Sequence, residues 1–82
     1  MFTTYVLQDS SGKLYKGCTN NLERRLREHR AGGTVTTSRM KDIEVVYTEK
    51  YDTFDEARAR ELYLKSAAGR RFLRKAGIGP LA

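Results

Sequence analysis

The chain has 82 residues and a formal net charge of +6, so it can bury only a small core and makes one domain at most, residues 1–82. Its single cysteine excludes an intrachain disulfide and a cysteine-based zinc cage, and it fits a reducing compartment. No stretch approaches the apolar length of a membrane span and no signal-peptide pattern opens the chain, so we expect a cytoplasmic protein with no membrane partner.

The chain begins with a pattern that predicts a β-hairpin. Residues 2–8 are rich in β-forming side chains, and residues 14–18 form the returning strand. Between them, Asp9 suits the first position of a type I turn, and Gly12 suits the left-handed position that completes a three-residue loop.

This loop length fixes which residues of the hairpin face each other. It pairs Tyr5 with Gly17 and places Tyr5 and Tyr15 on one face as diagonal neighbours. Gly17 has no side chain and leaves space beside Tyr5. A loop with an even number of residues would put the two tyrosines on opposite faces.

A helix is predicted from about Asn21 to Ala31, ending at Gly32-Gly33. Asn20 can cap this helix, and Glu23 can reach back to it as in a capping box.

The buried direction of this helix is set by Leu22 and Leu26. Arg25 and His29 flank this apolar stripe, whereas Arg24 and the other arginines of the helix point to solvent. The stem of Arg25 could simply cover Leu22, and His29 could simply be stabilised by the helix dipole.

Residues 34–42 form a predicted loop of hydroxyl and cationic side chains, including Arg39 and Lys41. Such a loop could contact phosphates, or it could be an ordinary polar connection. The strand predicted next, residues 43–49, would have three apolar side chains on one face: Ile43, Val45 and Tyr47.

The second long helix is predicted to begin at Thr53, which forms a capping box with Glu56. Its predicted buried face consists of four apolar residues: Phe54, Ala57, Leu64 and Ala68. Gly69 is expected to break or bend the helix, which continues as a short basic segment until Gly77 ends it.

Five of the sixteen basic residues follow Glu61, whereas no acidic residue does. Such a basic end could bind a nucleic acid, or it could only keep a small protein soluble. The predicted nucleic-acid contacts are the cations of the loop and of this C-terminal segment: Arg39, Lys41, Lys65, Arg70, Arg71, Arg74 and Lys75.

Glu61 is unusual because it lies in the middle of the apolar face of its helix. A carboxylate in that position costs free energy unless it is paired or bound to a metal. An ion pair with Arg25 is the structural interpretation, and a metal site is the functional one. Tyr5 and Tyr15 have the same ambiguity, because tyrosines in strands usually pack in the core. The thiol of Cys18 is expected to be a small buried group.

The order and spacing of these residues resemble the GIY-YIG nuclease superfamily, in particular its small stand-alone bacterial members. The resemblance lies in Tyr5, in Tyr15-x-Gly17 ten residues later, in Arg25 after ten more, and in Ala57-x-x-x-Glu61-x-x-x-Lys65. The two triplets differ from the family pattern, because they read Thr3-Thr4-Tyr5 and Tyr15-Lys16-Gly17. Cys18 occupies a position where DNA-repair incision enzymes of the family have a lysine.

The resemblance implies an α/β (α+β) fold, a three-stranded antiparallel sheet flanked by helices in the order ββαβα plus a short C-terminal helix. It also implies a metal-dependent endonuclease that hydrolyses DNA, with a role in DNA repair or processing. Magnesium, or else manganese, would be bound by Glu61, and the catalytic residues would be Tyr5, Tyr15, Arg25, His29 and Glu61.

DNA is the expected partner, RNA is the other candidate, and a separate protein partner could supply specificity. The alternative is a nucleic-acid-binding module with little or no catalysis. A subunit of a larger complex is a third interpretation.

Overall fold

The described parts of the chain, residues 1–32 and 40–79, form a three-stranded antiparallel sheet flanked by three helices in this computed structural model. The strands are β1 (Phe2–Gln8), β2 (Leu14–Thr19) and β3 (Glu44–Tyr51). The helices are α1 (Leu22–Arg30), α2 (Phe54–Lys65) and α3 (Ala67–Lys75). The strand order is β2-β1-β3, so β1 is central, and the predicted fold class is confirmed. None of the helices in these ranges is long and apolar enough to cross a membrane.

The hairpin between β1 and β2 has the predicted register. The backbone N–H of Asp9 donates to the carbonyl of Lys13 at 3.0 Å, and Gly12 has a φ of 90° in the left-handed region. Tyr5 pairs with Gly17, and the side chains of Tyr5 and Tyr15 lie on the same face of the sheet. The three-residue loop therefore sets the geometry on which the candidate site depends.

The side chains of β1 alternate between two buried clusters, one on each face of the sheet. Tyr5 and Leu7 pack against residues of α1 such as Leu22 and Leu26. On the opposite face, Val6 packs against Leu64 of α2 and Leu73 of α3. Because successive side chains of a strand point to opposite faces, β1 connects the two helical layers.

The predicted shared face of Ile43, Val45 and Tyr47 is wrong. Val45 packs in the cluster with Ile43, whereas Tyr47 packs in the cluster on the other face. The pairing of β1 with β3 shifts register between Val6 and Leu7, so one extra residue of β3 is inserted between Val45 and Tyr47. A bulge of this kind reverses the side-chain alternation downstream of it.

Helix α1 is capped one residue later than predicted. The side chain of Asn21, and not that of Asn20, accepts the backbone N–H of Arg24 at 3.0 Å. The hydroxyl of Thr19 accepts the backbone N–H of Asn21 at 3.1 Å, which holds the chain in a turn through Asn20 before the helix begins. The end of α1 is as predicted, because Gly32 follows it with a φ of 75°.

Helix α2 begins as predicted, with Thr53 as its cap and Glu56 as the partner of Thr53. The backbone N–H of Glu56 donates to the hydroxyl of Thr53 at 3.2 Å, and that hydroxyl donates to the Glu56 carboxylate at 2.9 Å. Ala57 and Leu64 are buried as expected, but Phe54 is 50% exposed. Phe54 is the first residue of the helix and its ring lies edge-on to the ring of Phe2, but half of the residue is exposed, so its predicted burial is wrong.

The helix break lies at Ser66 and not at Gly69. Ser66 ends α2 and its side chain accepts the backbone N–H of Gly69, so it also caps α3. Because α3 is a separate helix, its buried face does not continue the buried face of α2. Gly69 is therefore buried and Ala68 is exposed. A Cβ atom on Gly69 would lie 2.0 Å from the carbonyl oxygen of Tyr63. Glycine is therefore required here by the close approach of α3 to α2.

Candidate active site

Four of the predicted site residues lie together on the face of the sheet covered by α1. The hydroxyl of Tyr5 is 3.0 Å from Nε2 of His29, and each of these two residues is only 1% exposed. The ring of Tyr15 lies edge-on to the ring of His29, with 4.8 Å between their centroids. The shared face of the hairpin and the apolar stripe of α1 together bring these side chains into contact.

Arg25 lies at the solvent side of this group. Its guanidinium pairs with the carboxylate of Glu28 at 2.9 Å and interacts with the hydroxyl groups of Tyr5 and Tyr15. The side chain of Arg25 is 33% exposed, so its charge can reach a ligand in solvent. The predicted ion pair between Arg25 and Glu61 is wrong, because the partner of Arg25 is one helical turn along α1.

The buried pair beneath Arg25 is uncharged at neutral pH. Burial raises the pKa of Tyr5 to about 12, although the nearby Arg25 opposes this rise. Burial and the charge of Arg25 both lower the pKa of His29 below its ordinary value. A neutral imidazole has one donor and one acceptor nitrogen, so Nε2 of His29 and the Tyr5 hydroxyl can share a hydrogen bond with neither group charged.

Gly17 allows the Tyr5 side chain to lie across β2. A Cβ atom at this position would be 2.7 Å from the Tyr5 hydroxyl oxygen and 3.2 Å from a ring carbon of Tyr15. The predicted space beside Tyr5 is present, and it is filled by the Tyr5 ring and hydroxyl. The glycine of the second triplet is therefore a steric requirement for this arrangement of the two tyrosines.

Glu61 is held by cations of its own helix. Its Oε2 atom pairs with Arg58 at 2.8 Å and with Lys65 at 2.8 Å, and its side chain is only 7% exposed. The thiol of Cys18 on β2 also hydrogen-bonds to Glu61. Burial raises the pKa of Glu61, but Lys65, Cys18 and Arg58 together outweigh burial and hold that pKa below its ordinary value. Glu61 is therefore an ionised carboxylate at neutral pH.

Glu61 and the tyrosines approach the edge strand β2 from opposite faces of the sheet. Cys18, which contacts Glu61, pairs with Thr4, and Thr4 lies on the face of α2 because its hydroxyl donates to the carbonyl of Ala57. The negative charge of Glu61 nevertheless acts on the Tyr5 hydroxyl, whose pKa it raises further. The candidate site thus spans β2, with Arg25 on one side and Glu61 on the other.

The predicted nucleic-acid contacts separate into groups. Lys65 pairs with Glu61, and the guanidinium of Arg70 donates to the carbonyl of Lys65 at 2.9 Å. A surface cleft on α3 is lined by three further cations: Arg71, Arg74 and Lys75. Lys41 is exposed beside the hairpin loop, where its carbonyl accepts the backbone N–H of Ser10. Arg39 lies outside the described residues.

Two residues of the site were missed by the sequence analysis. Arg58 lies three residues before Glu61, and this helical spacing alone could have identified it as a partner. The contact between Cys18 and Glu61 joins a strand to a distant helix, so no local pattern could have shown it. The burial of this thiol, together with the charge of Glu61, raises the pKa of Cys18 to about 11.

The family model of the GIY-YIG catalytic domain matches residues 1–75, and the chain belongs to that family. Family membership indicates a nuclease and a nucleic-acid substrate.

The chain is similar to proteins named UPF0213 in bacteria and archaea. The chain is 43% identical over 63 residues to a UPF0213 protein of Natronomonas pharaonis, covering 76% of this chain and 74% of that protein. It is 32% identical over 71 residues to one of Staphylococcus aureus, covering 85% and 87%. The solution NMR structure of the UPF0213 protein BH0048 from Bacillus halodurans is similar, with a TM-score of 0.56 and 26% identity over 98% of this chain and 89% of that one. These names state no activity.

Proposed function

We propose that this protein is a metal-dependent endonuclease that hydrolyses phosphodiester bonds in DNA, with a role in DNA repair or processing. The observation that supports this function best is the cluster of Arg25, Tyr15 and the buried Tyr5–His29 pair, which adjoins an ionised carboxylate across β2. A cationic fork can hold a phosphate, hydroxyl groups can orient a water, and a carboxylate can hold a metal, so together these groups can support phosphodiester hydrolysis.

Arg25 is the group that would bind the scissile phosphate. Its planar guanidinium can donate two parallel hydrogen bonds to phosphate oxygens and offset the charge that develops on them. Glu28 already fixes one side of the guanidinium at 2.9 Å, so the side chain is oriented before substrate binds. The partial exposure of Arg25 leaves the other side accessible to a ligand.

Tyr15 is the tyrosine that we assign to the attacking water. It is half-buried, whereas Tyr5 is fully buried against His29, so Tyr15 is the more accessible of the two tyrosines. Tyr15 would orient the water, and it would accept the proton of that water once its own phenolic proton had left to solvent, with the charge of Arg25 balancing the phenolate. Tyr5 and His29 would hold the Tyr15 ring in place through their ring contacts with it.

Glu61 fits a metal that keeps most of its water ligands. Among the described residues, no three His, Cys, Asp or Glu side chains gather to form a protein cage for a metal. Magnesium is commonly held by one or two carboxylates together with waters and substrate phosphate. Arg58 and Lys65 are about half exposed and can move away from Glu61. When bound there, magnesium or manganese would stabilise the charge on the leaving oxygen.

Nicking of supercoiled plasmid DNA tests this function. We expect the wild-type protein to nick the plasmid with magnesium and to be inactive with EDTA. Arg25→Lys keeps the positive charge but loses the fork, so it should bind DNA normally and cleave at least about tenfold more slowly. Wild-type protein that binds DNA and never nicks it, or an Arg25→Lys variant with wild-type activity, would contradict the proposal.

A nucleic-acid-binding module without catalysis is the second candidate function. The observation that favours it is that Arg58 and Lys65 already balance the charge of Glu61, as they would if this carboxylate had a structural role and bound no metal. This candidate predicts that DNA binding without metal is strong and that no preparation nicks DNA with magnesium or manganese.

A further inference from the structure

Lys16 lies on the α2 side of β2, at the position where the second triplet reads Tyr15-Lys16-Gly17. It pairs with Val6 of β1, and Val6 packs against Leu64 of α2. Leu14, two residues before Lys16, packs in the same cluster. Since alternate residues of a strand share a face, Lys16 points toward α2 and α3. Lys16 was not among the site residues predicted from the sequence.

Two more cations meet Lys16 at the junction of α2 and α3. Arg70 donates to the carbonyl of Lys65 at 2.9 Å, which brings its guanidinium back over the end of α2. The pKa of Lys16 is lowered by burial and then by the charges of Arg70 and Lys65, so the three cations lie within electrostatic reach of one another. We refer to Lys16, Lys65 and Arg70 as the junction cluster.

Among the described residues, the ion pairs give the junction cluster one carboxylate, that of Glu61, against three positive charges. Glu61 is the carboxylate that pairs with Lys65, and it is shared with Arg58. Holding like charges together costs free energy, and the cost is reduced when an anion binds between them. Lysine is usually exposed, so a lysine that only kept the protein soluble would not be expected to lie half-buried in the middle of a strand.

We propose that the junction cluster binds a phosphate group of the nucleic-acid backbone next to the one that is cleaved. This inference rests on the proposed function and extends it across β2. Arg25 lies on one side of β2 and the junction cluster on the other, so a strand that crosses β2 beside Gly17 meets both. The cluster therefore sets the direction in which the substrate strand leaves the site.

Four single substitutions separate this site from a general effect of net charge. Lys16→Gln and Arg70→Gln each remove one charge from the junction cluster. Lys50→Gln removes the same charge from an exposed residue of β3, at the opposite edge of the sheet. Lys16→Arg keeps the charge. Fluorescence anisotropy of a labelled DNA duplex, measured in EDTA at several salt concentrations, gives the affinity and its salt dependence without cleavage.

We expect Lys16→Gln and Arg70→Gln each to reduce the slope of log K against log salt by about 0.9, the value for one lost phosphate contact. At about 0.1 M salt this corresponds to binding about eightfold weaker. Lys16→Arg and Lys50→Gln should keep the wild-type slope. Thermal melts of all four variants establish that each is folded.

Two results would overturn the proposed phosphate site. One is a folded Lys16→Gln protein whose slope of log K against log salt equals that of the wild type. The other is a Lys50→Gln protein whose slope falls as much as that of Lys16→Gln. Magnesium-dependent nicking by the wild type is scored separately. Nicking with an unchanged Lys16→Gln slope means that the nuclease function stands and the junction site is wrong. A changed slope without nicking means that the site binds nucleic acid and the nuclease function is wrong.

Discussion

Replacing Glu61 with glutamine separates the cost of this carboxylate to folding from its value to catalysis. The two partners, Arg58 and Lys65, are 46% and 48% exposed, so each can return to water when the negative charge is removed. Ion pairs with exposed partners contribute about 0–1 kcal/mol each. Neutralising a side chain that is 7% exposed also relieves a desolvation cost, which offsets part of the loss.

We therefore expect Glu61→Gln to lower the free energy of unfolding by about 1 kcal/mol, which corresponds to a melting temperature roughly 4–8 °C lower for a domain of this size. A buried pair with an arginine would instead cost about 3–5 kcal/mol. Magnesium-dependent nicking should be abolished, and DNA binding without metal should be retained.

The assay pairs thermal melts in EDTA with plasmid nicking in magnesium. Glu44→Gln, at an exposed position of β3, is the control with the same change of charge. A fall of about 24 °C or more in the melting temperature of Glu61→Gln would refute the energetic reasoning, because even at about 8 °C per kcal/mol, the largest shift expected, it corresponds to a loss of about 3 kcal/mol. A folded Glu61→Gln protein that nicks at the wild-type rate would refute its role as the metal ligand.

Three further predictions concern backbone geometry and pH. Gly12→Val should lower stability by about 1–2 kcal/mol, because Gly12 has a φ of 90°, and an unchanged melt would mean that the turn is wrongly assigned. Gly69→Ala should cost about 3 kcal/mol, since its Cβ would lie 2.0 Å from the Tyr63 carbonyl oxygen; chemical denaturation that gives a wild-type free energy would show that α2 and α3 do not pack so closely. His29 has a lowered pKa in the folded state, so the unfolded chain binds more protons and both stability and nicking should fall as the pH drops below about 6.5. Melts recorded across that pH range should show a smaller loss of stability at low pH for His29→Gln than for the wild type. The same pH dependence in both proteins would argue against a buried neutral imidazole.

The parts of the fold that were predicted correctly depend on local chemistry. Asp9 and Gly12 define a loop of fixed length, and that length determines the register of the hairpin and the shared face of Tyr5 and Tyr15. The start of α2 was predictable because Thr53 satisfies free backbone N–H groups within one turn of the chain.

The features that were predicted wrongly depend on contacts between distant elements. The bulge in β3 follows from its pairing with β1, so the alternation within β3 alone gave Tyr47 the wrong face. The break at Ser66 depends on how closely Gly69 can approach α2. The partners of Glu61 include Cys18 on β2, a contact that only the folded sheet can create.

Cleavage by Tyr15→Phe under single-turnover conditions tests the proposed nuclease site most directly. This variant removes one hydroxyl and keeps the ring that packs against His29. We predict that the wild type nicks supercoiled DNA with magnesium and that Tyr15→Phe, with unchanged DNA affinity and melting temperature, is at least about 100-fold slower, the smallest effect expected for loss of a general base. Cleavage by Tyr15→Phe at the wild-type rate would contradict the assigned role of Tyr15, and the absence of magnesium-dependent cleavage by the wild type would contradict the nuclease function itself.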